Sequence, residues 1–136
     1  MRTMFRDAAA RIALARRDPE RAMAQAELEA VGAQRHGTGR IKARALVTRA
    51  RALAALERHG DAESAADAGL AVAGRVRYPS ARWCVLALKA DLARRTGHPG
   101  DADAYAARAR AVVRAVADAL PGALRRTLLA CADVPA

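Results

Sequence analysis

Apolar residues recur at helical spacing along most of the chain, and no stretch alternates apolar and polar positions long enough to make a strand. Turn-forming clusters cut this pattern at Asp18-Pro19, His36-Gly37-Thr38-Gly39, His59-Gly60-Asp61, Tyr78-Pro79-Ser80, Gly97-His98-Pro99-Gly100-Asp101 and Pro121-Gly122. Between them the pattern predicts helices at 3–16, 19–35, 40–58, 61–77, 80–95, 101–120 and 122–131. Asp18 is suited to cap the second helix, with Pro19 at its first position. Ser80 is placed to cap the fifth helix, and Gly60 to end the third in a left-handed conformation. His36, His59 and His98 fall in turns, where the dipole of a preceding helix C-terminus accounts for them better than a metal does.

Three of the turns are alike: Arg17-Asp18-Pro19-Glu20-Arg21-Ala22, Gly60-Asp61-Ala62-Glu63-Ser64-Ala65 and Gly97-His98-Pro99-Gly100-Asp101-Ala102. Taking Ala22, Ala65 and Ala102 as equivalent puts successive units 43 and 37 residues apart. A small side chain there lets the second helix of a hairpin approach the first. The expected organisation is one all-α domain over 1–136: antiparallel hairpins at 3–35, 40–77 and 80–120, then a capping helix at 122–131. A single hairpin cannot bury both of its faces, so the units must stack.

The "GDAESA" turn and its alanine spacing resemble a tetratricopeptide repeat (TPR), although the unit is longer than the usual 34 residues. The tail from Arg108 to Pro135, a long helix, a proline break and a short helix, is similar to the ends of such arrays in large bacterial LuxR-type ATP-binding regulators. Repeat-containing adenylate and guanylate cyclases carry similar arrays. The resemblance runs from about Arg11 to Val134. The chain departs from the pattern at Arg17, where glycine is usual, and at Gly69, where the second helix normally carries a bulky residue. The resemblance implies a right-handed α-α superhelix acting as a protein-interaction scaffold. It carries over no enzymatic activity, because the nucleotide-binding, cyclase and DNA-binding domains of those proteins have no counterpart here.

Composition changes this picture in two ways. The apolar fraction is 53%, but 39 of the 136 residues are alanine, so the helices have small faces and must pack closely. Aromatic residues make up only 3%, which argues against a β-sandwich and against stacking platforms for single-stranded nucleic acid. The net charge of +10 comes from 22 arginines and two lysines, Lys42 and Lys89, spread along the chain without a basic run. Such a charge attracts acidic partners or nucleic acid, and it also fits the arginine and alanine usage of a GC-rich genome. No apolar run reaches membrane-spanning length. Cys84 and Cys131 are too few for a disulfide framework or a zinc site, which points to the cytoplasm. Met1 to Arg17 is arginine-rich, but it lacks serine and carries Asp7, unlike a transit segment.

No catalytic motif, cofactor-binding loop or metal-ligand spacing is present. In a TPR hairpin the first helix lines a concave groove. By the repeat register Val47, Ala50, Ala54, Glu57 and Arg58 would face it, with Arg51 at its edge. Asp7 and Arg11 correspond in the first unit, and Cys84, Ala87, Asp91, Arg94 and Arg95 in the third. The candidate partner-binding residues are therefore Arg11, Arg51, Glu57, Arg58, Asp91, Arg94 and Arg95. Paired guanidinium donors suit an acidic peptide or a C-terminal carboxylate; the plainer reading is a solvated charged face. Trp83 is assigned to packing between hairpins with Tyr78 and Leu86. Met4, Phe5, Ile12 and Leu14 would leave an apolar edge on the first hairpin, suited to self-association. Three other readings stand beside the scaffold. One is a charge-driven DNA- or RNA-binding module, another a remnant of a larger transcription regulator. The third is a helix-turn-helix with its turn at Gly69.

Overall fold

The computed structural model describes residues 2–36 and 39–130, with side chains at 9–28 and 39–130. Among the described residues the chain is all-helical. Its helices are α1 (Arg2–Ala15), α2 (Pro19–His36), α3 (Gly39–Ala55), α4 (His59–Arg75), α5 (Pro79–Arg95), α6 (Pro99–Asp118) and α7 (Gly122–Leu129). The side chains of Met4, Phe5, Asp7 and His36, and the whole of Cys131, lie outside the described residues.

The helix starts reveal the repeat. α2 to α6 begin at residues 19, 39, 59, 79 and 99, each twenty residues after the last, so a two-helix unit spans forty residues without insertion. This corrects the uneven spacing expected from Ala65. The residue equivalent to Ala22 and Ala102 is Ala62, and all three are fully buried. Ala10, Ala50 and Ala90 form a second such series, each at most 2% exposed.

The turns repeat as well. At the end of α1, the Asp18 amide donates to the Ala13 carbonyl (2.8 Å) and the Arg17 amide to that of Leu14 (3.0 Å). The same pair of bonds closes α3 through Arg58 and Glu57, α4 through Tyr78 and Arg77, and α5 through His98 and Gly97. These are Schellman turns, which need a left-handed residue just past the helix. Arg17 (φ 58°), Glu57 (φ 59°), Arg77 (φ 50°) and Gly97 (φ 80°) occupy that position. The left-handed residue after α3 is thus Glu57 rather than Gly60, which lies in the first turn of α4. Asp18 does cap α2, its Oδ1 accepting from the Arg21 amide at 3.2 Å. Ser80 does not cap α5: Tyr78 is the N-cap without a side-chain bond, and Pro79 opens the helix. His59 and His98 stand at helix starts, not at C-termini, because α3 and α5 end before them.

Each helix packs on the next. In addition the α1 backbone comes close to α3 and that of α3 to α5, whereas among the described residues α2 and α4 make no such approach, nor do α4 and α6. The odd-numbered helices therefore form a close row and the even-numbered helices a splayed one, and the array bends toward the odd row. Small side chains permit this approach. The buried apolar residues are mostly alanine, joined by Leu53, Val85, Leu86 and Leu92. A Cβ on Gly69 would lie 3.3 Å from Leu46 Cβ and 3.5 Å from Val85 Cγ2, so α4 meets both α3 and α5 at this glycine. α4 runs unbroken through Gly69, which removes the helix-turn-helix reading.

Ion pairs join neighbouring units at equivalent positions. Arg49 on α3 reaches Glu27 on α2 at 3.5 Å; forty residues on, Lys89 on α5 pairs with Asp67 on α4. Lys89 is 6% exposed, has Glu63 at 3.8 Å and lies 4.9 Å from the centre of the Tyr105 ring on α6. Burial alone would lower its pKa, but the hydrogen bond to Asp67 and the nearby negative charges outweigh it and hold the ammonium above its ordinary range. The C-terminal end is covered by α7. Leu128 packs on the cluster of Trp83, Leu86, Ala109 and Val113, and Arg125 Nε donates to the Ala117 carbonyl at 3.0 Å.

Candidate interaction groove

The odd row carries a cavity of about 380 Å³, open to solvent. α1 contributes Arg11; α3 contributes Arg44, Val47, Thr48 and Arg51; α5 contributes Ser80, Ala81, Trp83 and Cys84; Tyr78 enters from the turn before α5. The site follows from the forty-residue repeat: Arg11 and Arg51 hold the same position on α1 and α3, and both line the cavity. Arg44 and Arg51 are seven residues apart on α3, two helical turns on one face. The wall is mixed in character. Trp83 is 7% exposed, and its indole Nε1 is buried without a hydrogen-bond partner. The Tyr78 ring is half-buried, with the Arg40 guanidinium 5.6 Å from its centre, a cation–π contact at the rim.

Of the residues singled out in the sequence, Arg11 and Arg51 line this cavity. Asp91 occupies the equivalent position on α5, so the arginine series ends in a carboxylate, which Arg95 holds at 3.0 Å. Asp91, Arg94 and Arg95 all lie outside the cavity lining. Arg58 is not on α3 at all. It is the N-cap of α4 and pairs with Asp61 at 2.7 Å, because α3 ends at Ala55. Glu57 is exposed in the same turn. Ala50 and Ala54 belong to the core rather than the groove. Arg44, Tyr78 and Trp83 complete the site. Arg44 lies seven residues before Arg51 on the same face of α3, a spacing the sequence carries; Tyr78 and Trp83 reach the cavity only through the stacking of the next unit.

The arrangement can receive an anion. Three arginines from two helices offer forked donors to a carboxylate, and the aromatic wall suits the apolar part of a peptide. Among the described residues no group of three or more His, Cys, Asp or Glu side chains could hold a metal ion, and no helix is long and apolar enough to cross a membrane. Compared with protein-family models, curated proteins and solved structures, the chain finds no significant match.

Proposed function

We propose that the chain is a non-catalytic interaction scaffold, a TPR-like right-handed superhelix that takes an acidic segment of a partner protein into the groove of its odd helices. The observation that carries this reading is the meeting of Arg11, Arg44 and Arg51 with Tyr78 and Trp83 around one cavity. Spread arginine would explain the net charge, but it would not by itself place three guanidinium groups beside two of the chain's few aromatic rings. A regulatory role in the cytoplasm, like that of the larger regulators the repeats resemble, belongs to the same proposal.

The test is a binding titration with fluorescently labelled peptides of equal length, one rich in Asp and Glu and one neutral. The acidic peptide binds preferentially, and an Arg11→Glu/Arg44→Glu/Arg51→Glu variant loses on the order of 100-fold in affinity. An Arg94→Glu/Arg95→Glu variant, altered outside the cavity, stays within about threefold of wild type. Duplex DNA serves as competitor. If DNA displaces the peptide and itself binds with a steep salt dependence that both variants weaken alike, charge alone governs binding and the groove reading fails.

A further inference from the structure

The forty-residue register exposes a second surface, at the opposite end of the array from α7. Residues 12, 52 and 92 occupy one position on α1, α3 and α5. Ala52 and Leu92 are fully buried, covered by the preceding hairpin, whereas Ile12 is 52% exposed. Ile12 thus stands on a stacking face that the fold covers in every other unit. With Ala9, Ala13, Arg16, Asp18 and Arg21 it lines a slot of about 260 Å³ between α1 and the start of α2.

We infer that this face pairs with the same face of a second copy, forming a closed two-fold dimer. Two observations choose this occupant. First, each covered face within the chain presents a basic residue to a carboxylate on the preceding hairpin, Arg49 to Glu27 and Lys89 to Asp67. On α1 that position is Ala9, so this face lacks the basic side chain that the two covered faces offer to a carboxylate. Second, the slot is rimmed by both signs of charge, Asp18 between Arg16 and Arg21, all exposed. A two-fold axis sets Asp18 of each copy toward the arginines of the other and Ile12 of each against the other's slot, the self-complementarity an isologous contact requires.

Sedimentation equilibrium of the whole chain tests this. Wild type shows a concentration-dependent dimer, and Ile12→Glu raises its dissociation constant by on the order of tenfold or more. Leu124→Glu, at the α7 end, leaves it unchanged. Two charge variants, Asp18→Arg and Arg16→Asp/Arg21→Asp, dimerise weakly alone but form a mixed dimer when combined, because the mixture restores opposite charge across the axis. Recovery on mixing also shows that both variants are folded. A wild-type monomer up to about 1 mM overturns the inference. So does a dimer that survives Ile12→Glu and is lost in Leu124→Glu, or a pair of charge variants that fails to combine.

Discussion

Arg17, Glu57 and Arg77 each hold a backbone conformation that suits glycine, with φ between 50° and 59°. A side chain there costs roughly 1–2 kcal/mol, and only the turn at Gly97 avoids it. Glu57→Gly and Arg77→Gly should each raise stability by about 1 kcal/mol, and Gly97→Ala should lower it by a similar amount, as chemical denaturation would read. Lys89 makes a different prediction. Its folded pKa is raised, so its contribution is complete below the unfolded lysine value of roughly 10.4 and fades as pH climbs through the folded value. The melting temperature should therefore fall above about pH 10, and less so in Lys89→Met. Asp67→Ala should cost about 1–2 kcal/mol more than Lys89→Met. The first leaves a buried ammonium with Glu63 at 3.8 Å and the Tyr105 ring at 4.9 Å; the second leaves carboxylates that are half exposed. Of the three non-glycine turn residues, Arg17 stood in the sequence where the repeat resemblance expects glycine, whereas Glu57 and Arg77 carry no such signal and Gly60 carried a misleading one.

The helices themselves were legible because Pro and Gly punctuate them: α2, α5 and α6 begin on Pro19, Pro79 and Pro99. The register between them was not. In a chain so rich in alanine, Ala65 looks as good a packing residue as Ala62; both are buried, and the even spacing of the helix starts is what picks out Ala62. That slip set Asp91 opposite Ala54, whereas its equivalent is Arg51; Glu57 and Arg58 miss the groove because α3 ends at Ala55. Gly69 shows how element packing depends on a missing side chain. Gly69→Leu drives a branched chain against Leu46, Val85 and the α3 backbone, and should destabilise by about 2–3 kcal/mol. Thermal unfolding followed by circular dichroism would measure it; a loss under about 0.5 kcal/mol would mean that α3, α4 and α5 do not meet there.

At the scale of the whole molecule, a strict forty-residue repeat produces two unlike surfaces from one rule. Along the bend, repetition aligns Arg11 with Arg51 and builds the groove; at the first unit, the same repetition leaves Ile12 where Ala52 and Leu92 are covered. Arg11 and Arg51 could be picked from the sequence as groove residues, but their equivalence could not, because it follows from units spaced by forty residues rather than by 43 and 37. Tyr78 and Trp83 could not, since their place depends on how one unit sits on the next. Trp83 is the only tryptophan in the chain; it lines the groove and also packs on Leu86, Ala109 and Val113, so its emission senses both the groove and the core behind it. The most direct measurement is its fluorescence during titration with the acidic peptide, in wild type and in Arg51→Glu. Occupation of the groove predicts a saturable change in emission whose midpoint tracks the peptide's affinity and shifts by about tenfold in the variant. Binding that leaves Trp83 emission unchanged in both proteins would place the peptide elsewhere and contradict the account.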